Sequence, residues 1–149
     1  AAVRIWSCFA VVGDWLPDDV RLKKTVGRMA TYLQGYGDLM VSTNHWDPAV
    51  LERFRRDPFV AGFRGAIDNT ATTSELEHVA TLIPSEWLAA AGLGTPAECA
   101  DAVLRQMDLG ADSVIIHGAT PAELAPMVHA YRAIRPAGRF DHLAANPGA

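Results

Sequence analysis

The sequence has no surplus of positive charge. Thirteen Lys plus Arg stand against 17 Asp plus Glu, a formal net charge of −4. No basic stripe gathers on one segment, so a phosphate-backbone footprint is missing and nucleic acid is not an expected partner. Cysteine is scarce as well: Cys8 and Cys99 lie far apart, without C-x-x-C or Cys/His spacing. That excludes the signature of a disulfide scaffold or zinc site and predicts reduced, buried thiols. No apolar run approaches the length needed to cross a bilayer, and the first residues lack the basic start and apolar stretch of a signal peptide. A membrane is therefore not an expected partner, and the cytoplasm is the expected compartment. No H-x-x-x-H pair or carboxylate cluster suggests a metal, and no G-x-S-x-G suggests a nucleophile elbow. An initiator methionine is also absent, and Ala1-Ala2-Val3 leads almost directly into an apolar run. The expectation is a cut end of a longer chain.

What is present is the balance of an ordinary soluble domain, half hydrophobic and a fifth charged, with apolar material for one core. Val3 to Val12, VRIWSCFAVV, is nearly continuous, β-branched and aromatic, and is closed by Gly13-Asp14. It predicts a strand buried on both faces, as in a parallel sheet. Asp18 and Asp19 are placed to cap a helix whose apolar face is Leu22, Val26, Met29, Ala30 and Leu33, ending at Gly35 and Gly37. From about residue 38 to 92 the pattern breaks into an apolar scrap at Leu39 to Val41, a loop Ser42 to Asp47, and helical fragments starting near Pro48, Pro58, Ser74 and Pro84. This stretch reads as a helical insertion, either a pocket wall or lid or simple packing.

The phrase Thr-Pro-Ala-Glu then occurs twice, at Thr95 to Glu98 and Thr120 to Glu123. Each is a helix-start signal: Thr as N-cap, Pro at the first helical position, Glu at the third. Between them Ser113 to Ile116 predicts a short strand covered on both sides, with helical faces formed by Ala100, Val103, Leu104 and Met107 before it and Leu124, Met127, Val128 and Tyr131 after it. Pro126 is expected to bend the last helix. Residues 136–149 predict an irregular tail. Alternation of this kind favours an α/β protein with a parallel sheet.

Helix N-termini present unpaired N–H groups and partial positive charge. Gly94-Thr95 and Gly118-Ala119-Thr120 are therefore candidates for holding an anionic group, against the alternative that both are merely capped helices. His117, at the end of the last strand, is a candidate for a polar contact to coenzyme or substrate, or for a bond to neighbouring backbone. His45 and Trp46 are candidate pocket-lining residues, with Trp46 equally suited to a core anchor. His78 and His129 read as surface or packing residues.

The segments IPSEWL at Ile83 to Leu88, GTP at Gly94 to Pro96, and LGADSVIIHGATP at Leu109 to Pro121 resemble the closing part of luciferase-like monooxygenases. More narrowly they resemble the branch that uses the deazaflavin coenzyme F-420. VRIWSCFAVVGD and TYLQGYGD are similar to the sixth strand, its helix and the start of the inserted region of that family. The resemblance spans about residues 3 to 135. It implies a partial (β/α)8 TIM-type barrel whose C-terminal units carry a helical insertion, with residues 3 to 12, Ala89 to Leu93 and Asp112 to His117 as sixth, seventh and eighth strands. It implies an oxidoreductase exchanging a hydride between deazaflavin and a small organic substrate, with a flavin-mononucleotide (FMN) monooxygenase as the alternative. A full barrel needs on the order of 250 residues. The remaining expectation is therefore a chain inactive alone, loosely packed or oligomeric, completed by its missing N-terminal barrel half or by another copy, or else a non-catalytic half-barrel.

Overall fold

The computed structural model describes residues 3–88 and 91–143. It is a mixed α/β protein with a small parallel sheet, and the chain divides into two compact units, residues 1–15 with 91–149 and residues 16–90.

In the first unit, β1 (Trp6–Gly13), β2 (Gly92–Gly94) and β3 (Ser113–His117) form a three-stranded parallel sheet in the order β2-β1-β3. Val11, Val12 and Gly13 pair with Gly92, Leu93 and Gly94, and Trp6 through Ala10 pair with Ser113 through His117. Side chains alternate between faces along a strand. Phe9 and Val11 therefore share one face with Val114 and Ile116, and this face packs on Cys99, Ala100 and Val103 of α7 (Pro96–Asp108) and Met127 of α8 (Pro121–Ile134). Burying a Phe or Val side chain stabilises by about 1.5–3 kcal/mol, so this one-sided core holds the unit together.

The other face differs from expectation. Trp6 is 44% exposed, Ile115 48% and Leu93 38%, and Val3 lies outside the strand at 86%. Neither β1 nor β3 is covered on both sides along its length. The apolar run that read as a doubly buried strand alternates in its first half. The pairing also departs from three consecutive barrel strands, which would set β2 between β1 and β3. The expected strand near Ala89 to Leu93 falls on Gly92–Gly94, while Ala89 and Ala90 lie outside the described residues. The helix of α8 runs through Pro126 as one element. The tail forms turns as far as residue 143, and the rest of the expected irregular segment lies outside the described residues.

The second unit is helical. It contains α1 (Asp18–Leu22), a π-helical turn at Lys23–Gly27, α2 (Arg28–Asn44), α3 (Pro48–Arg56), α4 (Pro58–Gly62), α5 (Ile67–Thr70), α6 (Thr73–Ala80) and a 3-10 turn at Ser85–Leu88. Its core joins Val26, Ala30 and Leu33 to Leu51, Phe54, Ile67, Val79 and Trp87. The first helix thus packs with the stretch read as an insertion, in a compact unit of residues 16–90. The helix also passes Gly35 and Gly37 and ends at Asn44, with a kink at Tyr36 (φ −130°, ψ 15°). Gly37 serves packing rather than termination: a Cβ there would stand 2.7 Å from Leu51 Cδ1.

Candidate functional site

The carboxyl ends of β1, β2 and β3 carry most of the residues singled out by sequence. Gly13-Asp14-Trp15 leaves β1 across this edge. The Asp14 N–H donates to the Gly94 carbonyl at 2.8 Å, and the Trp15 indole N–H donates to the Glu123 carbonyl at 2.8 Å, tying the end of β1 to the first turn of α8. Gly94 turns the chain from β2 into α7 with φ +96°, and a side chain there would also collide with the Glu98 carboxylate. Only glycine meets both demands.

Both TPAE phrases form complete capping boxes. At α7 the Thr95 N–H and hydroxyl donate to Glu98 Oε2, each at 2.8 Å, and the Glu98 N–H donates back to Thr95 Oγ1 at 3.3 Å. At α8 the Thr120 N–H donates to Glu123 Oε2 at 2.7 Å and the Glu123 N–H to Thr120 Oγ1 at 3.3 Å. Pro96 and Pro121 have no N–H to offer. The Thr and Glu N–H groups of each helix start are thereby satisfied from within, and each start carries a carboxylate at the point where an anion was expected. The backbone and hydroxyl bonds from Thr95 hold the Glu98 carboxyl below its ordinary range, so it stays ionised at neutral pH. Gly94-Thr95 and Gly118-Ala119-Thr120 both lead into capped helices.

Asp14 adds a third carboxylate on the same edge. Together with burial, which dominates, Asp14 and Glu98 push the Cys99 thiol up to about 11. Its sulfur lies 3.4 Å from the Gly92 carbonyl oxygen. A thiol so placed is a packing group rather than a nucleophile. Cys8, read from the sequence as buried, is exposed; it points to the face of the sheet opposite α7 and α8.

His117 ends β3 beside Ala10 and shares that same open face, half-buried. It is the candidate residue whose side chain stands at the strand ends outside the capping boxes. Gly118 (φ 72°) and Ala119 form the turn that follows it. His45 and Trp46 belong to the helical unit. His45 is exposed and closes α2 in the left-handed region at φ 55°. Trp46 stacks on Trp87 with ring centroids 4.3 Å apart and 9° between planes, which is the core-anchor reading. His78 Nε2 lies 3.0 Å from Asp57 Oδ2, and His129 is exposed.

Sequence reasoning passed over Asp14 and Trp15, whose only signal was their place after the Gly that closes a strand. Among the described residues no group of three or more His, Cys, Asp or Glu could hold a metal ion, and no helix is long and apolar enough to cross a membrane. Comparison of the chain with protein-family models, with curated proteins and with solved structures found no match in any of the three.

Proposed function

We propose that the chain is the closing part of a luciferase-like oxidoreductase in which a deazaflavin of the F-420 type exchanges a hydride with a small organic substrate at the carboxyl ends of the parallel strands. The observation that carries this reading is the convergence of three parallel strand ends, both helix starts and His117 on one edge. Ligands in (β/α)8 barrels bind at that edge, and in open sheets they bind there where neighbouring connections diverge. The central position of β1 fits the second arrangement, so the location of the site does not depend on which architecture the parent adopts. Because the capping boxes are closed and carry Glu98 and Glu123, the coenzyme phosphate is not assigned to them. This chain's contribution is His117 with the Gly118-Ala119 turn, and the phosphate partners belong to preceding strand-helix units. The coenzyme would supply hydride chemistry, and the chain orientation and a polar contact.

A second reading, a non-catalytic half-barrel completed by a partner, is favoured by the exposed Trp6, Leu93 and Ile115, since parallel sheets are ordinarily covered on both faces. One titration separates these readings and the FMN alternative. The chain, and the longest in-frame gene product containing it, are titrated with F-420 and with FMN while coenzyme fluorescence is followed. The proposal expects F-420 to bind the longer product at least about tenfold tighter than FMN, and His117→Ala to weaken it about tenfold. Tight binding of FMN alone supports the monooxygenase. Binding of neither coenzyme to either product overturns the oxidoreductase reading and leaves the half-barrel.

A further inference from the structure

At the other end of the sheet, where β1 and β3 begin, the first unit has a cleft of about 450 Å³, within the range of small-molecule sites. Val114, Ile116 and the buried Met127 form an apolar floor with Tyr131 and Phe140 around it, and Trp6 lines the cleft from the opposite face of the sheet. Two guanidinium groups line the same cleft, each laid on a ring: Arg4 is 4.9 Å from the Trp6 centroid and Arg135 is 5.2 Å from that of Phe140. At Arg135, stacking of this kind holds the guanidinium over the ring, and its N–H donors suit an oxyanion. Of the acids nearby, Asp112 also lines the cleft and keeps its negative charge. Asp112 Oδ2 accepts the Ile5 N–H at 2.8 Å, and Asp108 pairs with Arg139 at 2.7 Å. Arg4 Nε donates to Ser113 Oγ at 3.1 Å. Among the described residues no carboxylate pairs with Arg135, so the cleft combines an apolar floor, aromatic walls and a positioned cation without its acid.

We propose that this cleft binds a small organic carboxylate with an aromatic body. The body lies on Val114 and Ile116 beside the Tyr131 and Phe140 rings, and the carboxylate is held by Arg135. The inference is independent of the coenzyme reading, which concerns the opposite edge of the sheet.

The test titrates the full chain with 3-phenylpropionate and with its uncharged amide, following the Trp6 indole and Ile116 signals by NMR. Saturable binding at about 1 mM or tighter is expected, with the amide and Arg135→Gln each at least about tenfold weaker. Arg132→Gln, on the same helix outside the cleft, should change affinity less than about twofold. Arg135 is exposed and follows the last turn of α8, so an unchanged melt of Arg135→Gln is expected and separates lost binding from lost folding. The proposal is overturned if no saturation appears up to about 10 mM, if the amide binds as well as the acid, or if Arg135→Gln binds like the unaltered chain.

Discussion

The helical unit and the sheet unit bury their apolar residues in different ways. In the helical unit Leu33, Phe54, Ile67 and Val79 are fully buried, and the Trp46–Trp87 stack closes one side of the core. In the sheet unit two helices cover one face while Trp6, Leu93 and Ile115 on the other stay exposed. The segment that looked irregular in sequence is the self-contained one. The segment with the regular strand-helix alternation is the one left one-sided, and it also carries the strand ends, His117 and the aromatic cleft.

This contrast is sharpened most by cutting into the closed core. Phe54→Ala should cost about 3–5 kcal/mol, read by urea unfolding through Trp46 and Trp87 fluorescence; a cost below about 1 kcal/mol would mean that the helical core is not closed. Gly94→Ala in the sheet unit should cost about 2 kcal/mol, because it strains a positive φ and displaces the Glu98 cap. Thr95→Ala and Thr120→Ala should each cost about 1 kcal/mol by thermal melting, since each removes one capping box. The smallest effect is in pH. Glu75 and Glu98 have folded pKa values below the ordinary carboxyl range because of the Thr72 and Thr95 hydrogen bonds. Their contribution is present above the unfolded pKa and is lost as pH falls from about 5 to about 3. Glu98→Gln should flatten stability against pH across that window, and an unchanged slope would remove Glu98 from the account.

The locally encoded features were legible. The two TPAE phrases form capping boxes because Thr, Pro and Glu at that spacing satisfy the first turn without help from the rest of the chain. Pro48 and Pro58 start helices for the same local reason, each after an Asp that caps it. What failed depended on packing. Gly35 and Gly37 looked like stops, and the non-helical Tyr36 between them does break the run, but helical turns resume to Asn44 with Gly37 beside Leu51. The run VRIWSCFAVV does not reveal that Trp6 and Cys8 are exposed while Phe9, Val11 and Val12 are buried. The strand order was equally hidden, since Ala-Ala-Ala-Gly-Leu-Gly around β2 has no periodicity to set a register. At the site, His117 was placed at a strand end correctly, whereas the acid on the helix starts follows from the same Glu98 and Glu123 that marked them as capped. Trp46 divided between pocket and core in sequence because a Trp suits either, and the structure stacks it, partly buried, on Trp87.

The one-sidedness of the sheet is tested most directly by native-state thiol labelling across a range of protein concentrations, because Cys8 lies on the open face and Cys99 under the helices. One thiol reacting rapidly at every concentration, with Cys99 silent until the chain unfolds, is the predicted result. Protection of Cys8 equal to that of Cys99 would contradict it, since the face described as open would then be covered.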